Sequence, residues 1–192
     1  MFQAINNYVA RTIQLTPDEL EYFNGILEYK TVPKKTMLLQ PGDICNFELY
    51  VNKGCIREYY IDSKGAEITL QFAVEDWWMS DITSFQDQTP SIMYIETLED
   101  CELLILSRNA KEKLLMQVPK LERMFRLMIQ RHLSVVQNRL VKTISYTAME
   151  RYLEFLSRYP TIPQRVAQHY IASYLGISAE FLSKLRKRHL KK

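Results

Sequence analysis

The stretch best equipped for chemistry is the C-terminal run QHYIASYLGISAEFLSKLRKRHLKK, residues 168–192. Its reactive content is cationic. From Thr161 onward seven Lys and Arg face one acid, Glu180, a net of +6, while residues 1–160 carry −3. A basic tail on a mildly acidic body points to a polyanionic partner, although a charged run taken alone is equally a solvated end. The other reactive side chains do not converge on a catalytic or metal centre. His132, His169 and His189 all fall outside the strand-rich half, so a metal oxygenase built inside a β-roll lacks its ligands. Cys45, Cys55 and Cys101 are odd in number, widely spaced and without a C-x-x-C pair, which suits neither a disulfide framework nor a zinc site. They read as small buried hydrophobes in a reducing compartment. No nucleophile elbow, phosphate-binding loop or dinucleotide fingerprint occurs. The expectation is a protein with no catalytic residues, no metal and no identifiable cofactor, and hence not an enzyme.

The elements that must position the basic run can be read from its spacing. A helix over about Gln168–Leu175 stops at Gly176, the residue type suited to a left-handed C-terminal turn. Ser178 then caps a second helix. Ala172, Gly176 and Leu182 stand at helix-turn-helix intervals, with Ile171, Leu175, Ile177 and Leu185 placed to pack the pair together. An ordinary helical hairpin shares the Gly; the cap and the charge placement favour the DNA-binding form. With Leu182 and Leu185 inward, Glu180, Ser183, Lys184, Lys187 and Arg188 face outward, toward a major groove. Lys and Arg there neutralise phosphate or bond guanine, and Glu accepts from cytosine. Arg186, Lys191 and Lys192 are placed for phosphate alone. The predicted DNA-binding set is Ser178, Glu180, Ser183, Lys184, Arg186, Lys187 and Arg188.

Upstream, TPDEL opens a helix with Thr16 as N-cap, Pro17 in the first position and Glu19 reaching back. From Thr31 the texture changes to short runs rich in Val, Ile and aromatics: TMLLQ, FELYV, CIREYYI, AEITLQFA, IMYIETL and CELLIL. The turn signals PGD, NKG, DSKG and LED divide them, a pattern of sandwich, barrel or jelly roll. After Ser107, itself an N-cap, the period lengthens. Leu121, Phe125, Ile129, Leu133, Val136, Leu140 and Ile144 mark one stripe of a helix spanning roughly 39 Å. Met124, Leu127, Met128 and Val135 flank it. A helix apolar on two sides needs cover on two sides, either within one chain or from a second copy. The predicted dimer interface is Leu121, Phe125, Ile129, Leu133, Val136 and Leu140. Thr147 and Glu150 then form a second capping box, ended by Pro160. The N-terminus lacks a signal-peptide pattern, and no apolar run is long enough to span a bilayer, so a cytoplasmic protein with no membrane partner is expected.

The strings PGD, VNKGCIREYY, TLEDCELLIL and IASYLGISAEFLSKLRK, in this order, resemble the Crp–Fnr family of bacterial transcription regulators, most closely its short members common in Bacteroidetes. The resemblance implies an α+β fold. A cyclic-nucleotide-binding-like β jelly roll over 1–117 would precede a dimerisation helix over 118–145 and a winged-helix-like helix-turn-helix domain over 146–192. It implies a homodimer on a near-palindromic duplex site, with double-stranded DNA and RNA polymerase as partners. A small-molecule effector is left open. Two departures stand out. Family members that bind cyclic nucleotides carry Gly-Glu-Leu and then Arg-Ser. Here Asp81 stands near the Glu and Ser91-Ile92 where Arg-Ser would fall, with no Arg or Lys between Gly65 and Arg108. A buried phosphate without a cation is costly, so cyclic AMP is not expected. Trp77, Trp78 and Asp81 are the candidate pocket for another effector, the tryptophans being otherwise core aromatics. The second departure is the short tail after the last helix, which leaves no room for a C-terminal wing. No Cys precedes residue 45, so the family's N-terminal iron–sulfur cluster is not expected. The alternative is a ligand-sensing β-roll acting through protein contacts, with a vestigial DNA-binding domain.

Overall fold

The computed structural model describes residues 1–189. Two short helices, α1 (Gln3–Ala10) and α2 (Pro17–Ile26), lead into eight strands: β1 (Glu28–Val32), β2 (Met37–Leu39), β3 (Phe47–Lys53), β4 (Ile56–Ile61), β5 (Glu67–Ala73), β6 (Trp78–Met79), β7 (Tyr94–Thr97) and β8 (Cys101–Ser107), with α3 (Ile82–Asp87) before β7. The rest is helical: α4 (Arg108–Gln117), α5 (Leu121–Ser145), α6 (Ala148–Arg158), α7 (Ile162–Arg165), α8 (Gln168–Leu175) and α9 (Ala179–His189). Among the described residues no strand follows β8, so no β wing accompanies the terminal helices. Lys191 and Lys192 lie outside the described residues.

The strands form two four-stranded sheets, ordered β1-β8-β3-β6 and β2-β7-β4-β5. The β3–β8 register pairs Leu49 with Ile105 and Tyr50 with Leu104. Successive strand residues point to opposite faces, and β8 uses both. Leu103 joins a core fed by both sheets, with Leu49, Val51, Ile56, Ile95 and Met79. Leu104 and Leu106 face outward into a second core with Ile5 and Val9 of α1, Phe23 of α2, Leu114 of α4, and Leu121, Met124 and Phe125 of α5. A strand buried on both faces reads as a continuous apolar run, which is why CELLIL lacks alternation. Gly54 makes the β3–β4 turn at φ 105°, and a Cβ there would sit 2.5 Å from Cys101 Sγ and 2.9 Å from Asp100 O. Only Gly fits that turn.

The chain divides into two compact units. One holds residues 1–58 and 72–130; the other holds 59–71 together with everything from Arg131 onward. The boundary between the units therefore falls inside α5. The tip of the β4–β5 hairpin groups with the C-terminal helices, a placement no sequence signal announced.

The caps read from sequence are present. Thr16 and Glu19 close a reciprocal capping box on α2; Thr147 and Glu150 do the same on α6. Ser107 Oγ accepts from Ala110 N–H at the start of α4. Helices α1 and α3 and strands β1 and β6 carried too little periodicity to be assigned from sequence.

Candidate nucleic-acid interface

The C-terminal unit is built on an aromatic cluster. Phe155 and Tyr159 of α6 and Tyr174 of α8 meet with ring centroids 5.2 to 5.8 Å apart. Tyr152, Phe155, Tyr159, Ile162, Ile171, Ala172, Leu175, Leu182 and Leu185 are all buried. Helix α8 ends at Gly176, φ 66° and left-handed, whose N–H bonds Ala172 O and Ser173 O. That single residue redirects the chain, because any other residue type except Asn is strained there. Ser178 Oγ then accepts from Phe181 N–H at 3.2 Å and caps α9.

Helix α9 is fixed by Leu182, 0% exposed, and Leu185, 4% exposed. With these inward, Ser178, Glu180, Lys184, Lys187 and Arg188 are exposed, and Ser183 and Arg186 are partly so. The Glu180 carboxyl is held below its ordinary value first by its own backbone N–H, then by the Ser178 hydroxyl and the Lys184 charge. It is an ionised acceptor at neutral pH. The exposed face thus presents three cations, Lys184, Lys187 and Arg188, and one carboxylate, with Arg186 at its margin. Phe181, absent from the predicted set, is also exposed, at 41%.

The turn between β4 and β5 is tied to α8. Ser173 Oγ accepts from Thr69 N–H at 2.8 Å and donates to Glu67 O at 2.6 Å. The Ser side chain thus takes both main-chain bonds that a neighbouring strand residue would make with β5. The Arg139 guanidinium of α5 donates to Leu70 O, to Thr69 O at 3.3 Å and to Tyr174 O at 3.0 Å. It also lies 4.0 Å from the centroid of the Tyr174 ring. Asp62 orders the turn itself, its Oδ1 accepting from Lys64 N–H and Ala66 N–H.

The α5 stripe separates into two parts. Leu121 and Phe125, expected at the dimer interface, are 0% and 3% exposed and lie within their own chain's core. Periodicity places them on one face but does not say what covers it, and α1, α4 and β8 do. Ile129, Leu133, Val136, Leu140 and Ile144 remain 44–78% exposed.

The residues matched to an effector pocket have other partners. Asp81 caps α3; its Oδ1 accepts from Ser84 N–H at 3.2 Å and its Oδ2 from Ser91 Oγ–H at 2.7 Å. Trp78 packs edge-on against Tyr50 and Phe125 at centroid distances of 5.6 and 5.9 Å. Trp77 packs against the core between the sheets. The buried cation of the roll is Arg57, outside the segment that the family pattern directs attention to. Its Nε donates to Glu96 at 2.5 Å, and the two side chains are 2% and 13% exposed. Its signal in sequence was a lone Arg in the apolar run CIREYYI. Among the described residues no group of His, Cys, Asp and Glu is arranged to hold a metal ion. None of the described helices is long and apolar enough to cross a membrane.

Residues 29–118 match the model of the cyclic nucleotide-binding domain family. A curated relative, the anaerobic regulatory protein of Bacillus subtilis, is 26% identical over 127 residues. The match takes in 66% of this chain and 53% of the relative, so the chain spans about half the length of that protein. FixK2 from Bradyrhizobium japonicum shares the fold at a TM-score of 0.75 and 18% identity, with 86% of each chain covered. A protein described as a transcriptional regulator of the Crp/Fnr family from Eubacterium rectale does so at 0.66 and 19%, with 92% of this chain and 85% of that one covered. Residues 29–118 are thus matched by the cyclic nucleotide-binding domain model, and the chain shares its fold with these solved structures, one of them described as a Crp/Fnr-family transcriptional regulator.

Proposed function

We propose that the protein is a sequence-specific regulator of transcription that binds double-stranded DNA as a homodimer. One observation carries this reading. Helix α9 is held by Leu182 and Leu185 while Lys184, Lys187 and Arg188 stand outward in solvent. A rod anchored on one side and cationic on the other fits a major groove walled by phosphates. The exposed residues Ile129, Leu133, Val136, Leu140 and Ile144 are the surface for a second copy, since a single-stripe apolar helix favours pairing with its like. Two copies would set recognition helices on half-sites about 34 Å apart on a near-palindromic site.

The roll is proposed to respond to something other than cyclic AMP. The Asp81 carboxylate is already used by Ser84 and Ser91, and the buried Arg57 is matched by Glu96. A cyclic phosphate monoanion introduced at Ser91 would face a carboxylate rather than a guanidinium, an unfavourable exchange in a low-dielectric interior.

The deciding experiment is retention of random duplex DNA on filters at two salt concentrations, followed by selection of a preferred duplex. Binding that weakens steeply with salt, and a selected site with two-fold symmetry, are the expected outcomes. Absent binding, or binding indifferent to salt, would replace this reading with a sensor acting through protein contacts.

A further inference from the structure

We infer that Phe181 reads sequence: in each half-site its ring packs against the C5-methyl group of a thymine. The inference rests on the DNA-binding reading above. Phe181 lies in the first turn of α9, the part of a recognition helix that meets base edges. Its backbone N–H is held by Ser178 Oγ, so the cap fixes where the ring starts. The residue that follows it, Leu182, is wholly buried, yet Phe181 is 41% exposed. At about 100° per residue, Leu182 and Leu185 mark the inward side of α9, and Glu180, Lys184 and Lys187 the outward side. Phe181 stands at the border where the two sides meet, between Leu185 and Lys184, one turn before Lys184 and two before Arg188.

The chemistry of this turn selects its target. Exposed Phe residues scattered over a surface need no explanation. This one is set in a cationic face beside an ionised Glu180. Neither Glu180 nor a phenyl ring can bond a phosphate: the first is repelled and the second has no donor. The first turn of α9 is therefore directed at the groove floor, while Lys187 and Arg188, further along, are placed for the backbone. What a major groove offers an apolar side chain is the thymine methyl, the one feature distinguishing T from an otherwise identical uracil edge.

The test starts from the preferred duplex selected by the wild-type protein. Each thymine of the half-site is replaced in turn, symmetrically, by deoxyuridine. Wild type, Phe181→Ala and Phe181→Leu are titrated on every duplex, with thermal unfolding of each variant as the folding control. At one thymine position the wild type should lose about fourfold per half-site, or about fifteenfold per dimer site, the value of one buried methyl group. Phe181→Ala should bind the thymine duplex correspondingly more weakly and be indifferent to the replacement; Phe181→Leu should retain part of the discrimination. Wild-type binding unaffected by every replacement overturns the inference, as does undiminished discrimination by Phe181→Ala, with duplex binding itself left standing. A wild-type protein that binds no duplex at all removes the DNA-binding reading and this inference with it.

Discussion

Replacing Lys187 by Ala tests the docking of α9 through its salt dependence. Lys184, Arg186, Lys187 and Arg188 are the cations of the helix, with Lys187 exposed on the outward face. Two copies bound as proposed would bring eight such groups to a duplex, and at about 0.9 per phosphate α9 would then account for a slope of log K against log salt no steeper than about −7. Lys187→Ala withdraws one contact per copy and should make the slope shallower by about 1.8. Between about 50 and 200 mM salt the wild type should then lose roughly twelvefold more affinity than the variant. Fluorescence anisotropy of a labelled duplex measures this directly. The same change is expected on random duplex, because a phosphate contact carries no sequence information. Lys184, nearer the start of the helix, supplies the contrast. Lys184→Ala should weaken specific binding by about 1–3 kcal/mol and relax preference at one base pair. If Lys187→Ala binds with an unaltered slope, its ammonium never meets a phosphate, and α9 is not seated as its exposed face implies.

Two further predictions concern the C-terminal unit by itself. Ser173→Ala leaves Thr69 N–H and Glu67 O without the hydroxyl that serves both, at a cost of about 1–3 kcal/mol. Amide exchange at Thr69 should quicken by about fivefold to 140-fold, since each 1.4 kcal/mol is a factor of ten, and unchanged exchange would show that Ser173 is not what holds the hairpin tip. His132 is held below its ordinary pKa of 6.5, first by burial and then by the Arg158 charge. Below 6.5 the unfolded chain therefore takes up a proton that the folded one still refuses, and stability falls with pH until the lowered folded value is passed. The thermal midpoint should drop between about pH 7.5 and 5.5, and drop less in His132→Gln. Equal losses in the two proteins would assign the pH sensitivity to other groups.

The C-terminal site was legible because its chemistry is local. The left-handed turn at Gly176 and the Ser178 cap depend on residues three or four positions away, and Leu182 and Leu185 report their shared face through a 3.6-residue period. The same holds for the capping boxes at Thr16 and Thr147. Phe181 carries no such signal, because a lone aromatic beside an apolar pair resembles core, and only its exposure in the folded chain separates the two.

A strand-rich half followed by a helical half, the caps, the helix-turn-helix and its cationic outer face were properties of the sequence itself, since each follows from residues within a turn or two of one another. Tertiary structure alone decided what covers each apolar face. It drew Leu121 and Phe125 into the core of their own chain while leaving Leu133 and Leu140 in solvent. It matched Arg57 with Glu96 across 39 residues, and joined Ser173 to Thr69 across 104. Periodicity names the face of an element, but burial and pairing are settled by whichever distant segment arrives there, and that is fixed by packing over the whole chain.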